Sequence, residues 1–303
     1  MRFFALIAAL LLTYHRPLHQ RLAPATWFTP VARLLERNLN DGQARNGWIA
    51  WGLAALLPAI GVSIADHLVD GLSNLAGWLF AAAILYLFLD SRSLSTSAEN
   101  ITASLRDFNI PHARQQLKAW SGQNAESYGA GEISRVTIET ALTYAHYGLF
   151  APIFWFVVAG TGGVTLYCLS ALLCQTWRQY GEPNNPALDK AFDWLNWAPV
   201  RITATCYAVA GDFEDAMYCW REQSSTWPDR NNGIMLASGA GALGVVLGGP
   251  LPRSGILESR PEIGMGDPAD PDAIMSAVGL IWRVLVLLVV LVLLLTFANW
   301  LGH

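Results

Sequence analysis

Residues 284–301 read VLVLLVVLVLLLTFANWL, an unbroken run without a single charge. A helix that crosses the hydrocarbon of a bilayer needs about 20 apolar residues. With Arg283 at one edge and Trp300 near the other as interfacial anchors, this run predicts a transmembrane helix. Composition agrees: 53% of residues are hydrophobic and 14% charged, against roughly a quarter charged in soluble domains. The net charge of -4 argues against a nucleic-acid partner, whose phosphates call for a basic face.

Three further stretches bear on the bilayer. Trp48–Val69 and Leu72–Leu89 contain no Lys or Arg and are separated by Asp70-Gly71, which predicts a helical hairpin with its turn there. Leu149–Leu173 is long enough to cross once, but Thr161-Gly-Gly163 interrupts it. That leaves two arms of about ten residues, each reaching halfway across. The 19 Lys and Arg fall in three blocks, at 1–47, 90–147 and 174–283. If 149–173 dips in and turns back, all three blocks share the cytoplasmic side, as the positive-inside rule favours. Irregular backbone at that depth is tolerated when it packs on protein, so a re-entrant hairpin is the expectation.

Phe3–Leu12 is a short apolar run expected to be a retained, partly inserted helix, because no small-residue cleavage pattern follows it. His15 and His19 stand at i, i+4 with Pro17 between them and no carboxylate partner, so no metal site is expected there. The four cysteines lack metal-finger spacing and read as buried thiols. Periodicity predicts a helical pair over Ser95–Trp120 broken at Asn109-Ile-Pro111, and a helix over Gly131–Ala145. Gly181–Pro186 reads as a linker, and Ala187–Trp197 as a helix that Pro199 ends or restarts. Arg253–Pro271, rich in Pro, Gly and Asp, reads as an extended loop able to cover a site.

Gly239, Gly241 and Gly244 form a literal G-x-G-x-x-G. A dinucleotide site needs a strand before the glycines and an acid on a second strand after them. The lead-in Asn231–Ser238 has an apolar run of only four residues, and Glu258 and Glu262, at a suitable distance, lie in a Pro-rich loop. Two readings remain. On a helix, Gly241, Gly244 and Gly248 would leave one face bare for close packing. Alternatively, backbone N–H groups near Gly248-Gly249-Pro250 would cradle an anion.

The segment Gly241-Ala-Leu-Gly-Val-Val-Leu-Gly-Gly-Pro250 resembles the signature of the CobD/CbiB family of membrane proteins in cobalamin biosynthesis. Ala151–Phe156 with Gly160 and Leu166-Tyr167, Asp193-Trp-Leu-Asn-Trp-Ala-Pro-Val-Arg201, and Asn231 with Gly233 match in the same order, over residues 90–265. The resemblance implies an adenosylcobinamide-phosphate synthase: ATP-dependent amide ligation of aminopropanol or its phosphate to a corrinoid carboxylate, with ATP and magnesium as cofactors. It implies Glu139 and Asp193 as catalytic acids. Asn196, Arg201, Asn231, Gly233, Gly244, Gly248 and Gly249 would bind ligand, with no structural metal. Asp193 and Asn196, at i, i+3, would share one helix face, and Arg201 would meet a phosphate or pair with Asp193.

The sequence departs from the family pattern at Thr143, Tyr144, Tyr147, Ala171, Leu172, Cys174 and Leu236, where acids and amides are expected. AmpE, a membrane protein linked to β-lactamase regulation, departs similarly, which leaves a non-catalytic regulatory or assembly role as the alternative. Gly211-Asp-Phe-Glu-Asp215 fits either relative, and its acids read as helix caps.

The fold class expected is all-α: an integral membrane helical protein with a re-entrant hairpin and a cytoplasmic helical portion. Its regions would be an N-terminal membrane part at 1–89, a CobD/CbiB-like part at 90–283 and a transmembrane helix at 284–303. The expected setting is the bacterial inner membrane, multi-pass. Expected partners are the lipid bilayer, a corrinoid or other anionic small molecule, and a membrane protein or second copy.

Overall fold

The computed structural model describes residues 2–15, 23–89, 92–180, 185–253 and 256–301. The chain is overwhelmingly helical, as its periodicity predicts. In order it forms α1 (Arg2–His15), α2 (Pro24–Leu39), α3 (Ala44–Trp51), a π-helical turn (Gly52–Leu56), α4 (Leu57–Leu72), α5 (Asn74–Phe88), α6 (Arg92–Arg106), α7 (Ile110–Ser121) and α8 (Ala130–Ala145). A second π turn (His146–Phe150) leads into α9 (Ala151–Tyr180), α10 (Pro186–Ala210), α11 (Phe213–Gln223) and α12 (Arg230–Leu243). Five short strands follow, β1 (Val245–Gly248), β2 (Leu251–Arg253), β3 (Ile256–Glu258), β4 (Glu262–Gly264) and β5 (Asp267–Pro268), before α13 (Pro271–Leu301).

Two compact units result. One gathers 1–91, 147–199 and 296–303, and the other 92–146 and 200–295. Among the described residues three helical segments are long and apolar enough to cross a membrane: Ala44–Leu72, Ala130–Gln179 and Pro271–Ala298. The last begins thirteen residues before the apolar run at Val284, because Pro271 is well placed in a first helical turn and Asp270 caps it through Ala273 N–H at 2.7 Å. The side chain of Trp300 lies outside the described residues, as do His19 and 181–184 of the expected linker.

In the first unit α4 and α5 form the expected hairpin. Its turn is at Ser73, which is extended (φ -165°), and not at Asp70-Gly71, since α4 keeps its hydrogen bonds through Leu72. The second arm is a 15-residue helix, about 22 Å at 1.5 Å per residue, shorter than the span expected at Leu72–Leu89. α1 and α9 both pack on α5.

The chain of α9 turns back at Gly160, whose φ of 67° and ψ of -152° lie in a region that only glycine occupies readily. A straight helix would hold Tyr147 and Tyr167 about 30 Å apart. Instead both hydroxyls bond the same amide: Tyr167 donates to Asn196 Oδ1 at 2.9 Å, and Asn196 Nδ2 donates to the Tyr147 oxygen at 3.2 Å. The break is thus one residue before Thr161-Gly-Gly163. Those glycines serve the approach of neighbours: a Cβ on Gly163 would come within 2.7 Å of the Trp155 carbonyl oxygen in the other arm, and one on Gly162 within 3.1 Å of the Ala59 carbonyl in α4.

Pro199 neither ends nor restarts α10, contrary to the sequence expectation. Proline deprives the carbonyl four residues earlier of its helical donor. That carbonyl, on Leu195, accepts instead from the Trp155 indole at 3.2 Å, so the helix runs on with its orphan acceptor satisfied.

In the second unit α6 and α7 form the expected pair. Asn109 caps α7 by accepting from His112 N–H at 3.2 Å. α11 and α12 pack tightly, and α12 also meets α8, β1 and β4. Arg253–Pro271 is not the extended loop read from composition. β4 and β5 flank β1 in one small sheet, and β2 pairs with β3 in another. β4 and β5 pair with β1, which precedes the segment, and strands of two or three residues are too short to show a period.

Candidate functional site

The glycine segment is not one helix face. α12 stops at Leu243, and Gly244 closes it in the left-handed conformation (φ 66°, ψ 36°), the usual glycine C-cap. Gly248 and Gly249 then both take φ 72°, which side chains disfavour. Close packing is nevertheless what the helical glycines do. A Cβ on Gly241 would strike the backbone of Asp215 and Ala216, and one on Gly233 the carbonyl of Ser224. The first turn of α12 is capped by Asp229, which accepts from the N–H groups of Asn231 (2.9 Å) and Asn232 (3.1 Å).

The buried acid of the second unit is Glu139, 7% exposed. Its Oε1 accepts from Gly248 N–H at 2.8 Å and from Arg260 Nη2 at 2.8 Å, and its Oε2 accepts from Arg260 Nη1 at 3.0 Å. The anion at the Gly-Gly-Pro backbone is therefore the protein's own carboxylate. Arg260 also donates to the Gly249 carbonyl at 3.2 Å and lies over the Trp227 ring, 5.4 Å from its centroid. Arg135 donates to the Gly248 carbonyl at 2.7 Å. Bidentate guanidinium–carboxylate geometry makes this a rigid clasp. Arg260, Arg135 and Trp227 were missed from sequence. Arg260 sits in a segment whose composition suggests a loop, and its partner lies 121 positions away.

Arg201 is also in this unit. Burial lowers its pKa first, and the charge of the neighbouring Arg230 guanidinium lowers it further. Cys206, on the same helix, is pushed up to about 11 by burial, and Cys219 is raised for the same reason. All four cysteines are buried and free.

Asp193 and Asn196 belong to the first unit. They do not present one shared face: Asp193 is exposed, whereas Asn196, 1% exposed, is consumed by the two tyrosines. Tyr147, one of the departures from the family pattern, stacks on Phe192 with ring centroids 5.8 Å apart. Cys174, another, donates to the Leu188 carbonyl at 3.4 Å. The structure thus brings together Glu139, Gly248 and Gly249, and puts Asn231 and Gly233 on one turn of α12. Asp212 caps α11 through Asp215 N–H at 3.0 Å, as its sequence setting suggests. Among the described residues no three His, Cys, Asp or Glu side chains converge into a metal site.

A family model described as CobD/Cbib protein matches residues 3–281. The chain belongs to the CobD/CbiB family. It is 34% identical over 284 residues to the cobalamin biosynthesis protein CobD of Stutzerimonas stutzeri, covering 92% of this chain and 93% of that one. The protein of the same name from Chromobacterium violaceum is 33% identical over 84% of this chain and 92% of its own. That of Brucella suis is 29% identical over 71% and 70%. No solved structure matches. Family and apolar helices together make this a membrane protein.

Proposed function

We propose that this CobD/CbiB protein acts in cobalamin biosynthesis as an adenosylcobinamide-phosphate synthase-like ligase, joining aminopropanol or its phosphate to a corrinoid carboxylate. The observation that carries the reading is the family match over residues 3–281, with relatives at a third identity over nearly their whole length that bear the biosynthetic name. No comparison supports the AmpE-like alternative.

An amide cannot form from an ionised carboxylate and an amine without activation. ATP, as substrate, transfers its γ-phosphoryl group to the carboxylate and leaves as ADP; attack of the amine on the resulting acyl phosphate then forms the amide, expelling inorganic phosphate, with the amine proton passing to solvent. The chain's own contribution follows from its charges. In this reading Arg201 and Arg230 meet the substrate phosphates, whose oxygens suit fork-shaped guanidinium donors. Glu139 acts as a positioning residue: with both oxygens occupied, it fixes the Gly248-Gly249 backbone. Among the described residues no cluster of acids forms a preassembled magnesium site. Magnesium commonly arrives on substrate phosphates with only one or two carboxylates.

The same reading places the protein in the inner membrane, with its basic blocks in the cytoplasm and the Gly160 hairpin re-entrant. Purified protein in nanodiscs, given a corrinoid acid, ATP-magnesium and aminopropanol phosphate, is expected to yield the amide by mass spectrometry. ATP-magnesium or the corrinoid is expected to raise its Tm, and Arg201→Ala to abolish that rise. Absence of both product and stabilisation would overturn the ligase reading.

A further inference from the structure

The N-terminal part of α10, in the first unit, has two unlike sides. Its inner side is buried: Leu188, Ala191, Phe192 and Asn196 pack into the unit, and Tyr147 and Tyr167 hold the Asn196 amide there. Its outer side shows Lys190, Asp193, Trp194 and Trp197. The indoles of Trp194 and Trp197 are 64% and 58% exposed, although tryptophan is highly buried on average. Two of the largest apolar side chains laid open at i, i+3 on one face mark a contact surface. The ligase reading makes no use of either.

The neighbouring helix decides what covers that face. Ala44–Leu72 is long and apolar enough to cross a membrane, and Ile49, Leu53, Leu57, Ile60, Ile64 and Leu68 stand exposed along it at helical spacing. In a membrane protein such a ridge faces lipid. Arg45 and Trp48, exposed at the entry of the same segment, are the residue types that anchor a span where hydrocarbon gives way to headgroups. α10 is fastened at this level. Asn185, just before its first residue, donates to the Gln43 carbonyl at 3.2 Å, and a Cβ on Gly47 would strike the Asn185 side chain. Further along, the Trp48 and Trp194 ring centroids lie 6.1 Å apart. The open indole of Trp194 therefore continues the lipid-facing ridge at its interfacial end.

We infer that the N-terminal part of α10 lies in the phospholipid headgroup layer, with Trp194 and Trp197 seated in the bilayer surface. An indole has an apolar body and one N–H donor, which suits the boundary between oil and water. Lys190 stands one turn before Trp194, its ammonium 5.2 Å from the ring centroid. It reaches a lipid phosphate from there while its methylene stem stays on apolar surface. Asp193, on the same outer side, keeps its water because the headgroup layer is wet. A second copy of this chain would also cover exposed tryptophans. Continuity with the lipid-facing ridge, and the basic Arg45 and Lys190 beside the indoles, favour lipid. The helix that carries Asp193 and Asn196 is thereby held at the membrane surface. The inference does not rest on the ligase reading, and its failure would leave that reading intact.

The test is fluorine NMR of the full chain, labelled with fluorotryptophan, in phosphatidylcholine nanodiscs. The Trp194 resonance is the one missing from Trp194→Phe, once that variant is shown to keep the wild-type Tm and elution volume. If it does not, Lys190→Gln identifies the same resonance by its shift, since it removes the charge over the ring. Phosphatidylcholine with a nitroxide on its headgroup is expected to about double the width of this resonance. A nitroxide at the end of the acyl chain, and a soluble gadolinium chelate, are each expected to broaden it less. The inference is overturned if the chelate broadens it most, because the face then looks into water. It is overturned equally if the chain-end nitroxide does so, which would put the indole deep in hydrocarbon. Broadening by none of the three would mean that protein, such as a second copy, covers the face, and would overturn it too.

Discussion

The reversal at Gly160 and the turn at Gly248-Gly249 solve one problem in two ways. Both put glycine at positive φ, 67° in one and 72° twice in the other. In each, a single buried side chain then fastens two distant places at once. In the first unit the fastener is neutral, the Asn196 amide between Tyr147 and Tyr167. In the second it is ionic, Glu139 between Gly248 N–H and Arg260. The difference follows from surroundings: residues 149–173 contain no charge, and an ion pair there would have to recover its desolvation cost with no help from water. Beside the β strands, with Arg260 18% exposed at its side chain, a charged clasp is tolerable and more rigid.

The contrast breaks most sharply at its ionic end. Glu139→Gln leaves the Arg260 guanidinium without its counter-charge, and removing one partner of a buried pair costs about 3–5 kcal/mol. Denaturant unfolding of the detergent-solubilised protein is expected to show a loss in that range, with part of it recovered in E139L/R260M. A midpoint indistinguishable from wild type would mean that the clasp does not hold the loop. Next in size is Gly160→Ala, which forces a side chain into a region reserved for glycine and is expected to cost about 1–3 kcal/mol by the same measurement. Unchanged stability would show that the reversal is not fixed by this residue.

The same pair of regions shows what could be read from the chain. Apolar runs and helix breaks are local signals, so the α4–α5 hairpin, the α6–α7 pair with its Asn109 cap and the interruption near Gly160 were visible, and so were the family's short motifs. What escaped depends on partners far along the sequence. Pro199 looks like a helix end until Trp155 is seen to take the Leu195 carbonyl. Gly244 and Gly248 look like a helix face until β4 and β5 are found pairing with β1. Glu139 looked like a catalytic acid because its type and place fit the family; its saturation by Arg260 required the fold of a segment whose composition suggested only a loop.

The smallest effect is expected at the neutral fastener, and it is the one that sharpens the comparison. Tyr167→Phe keeps the ring against Phe192 and removes only the hydroxyl that donates to Asn196 Oδ1. A neutral hydrogen bond contributes about 0.5–1.5 kcal/mol net, and a buried acceptor left unpaired adds to that, so a loss of about 1–2 kcal/mol is expected in the same unfolding assay. Asn196 keeps its bond to Tyr147, and the two arms retain their close contact at Gly163. If Tyr167→Phe instead cost as much as Glu139→Gln, the neutral tie would be carrying the hairpin alone, and the glycine geometry at 160 and 163 would be its consequence and not its cause.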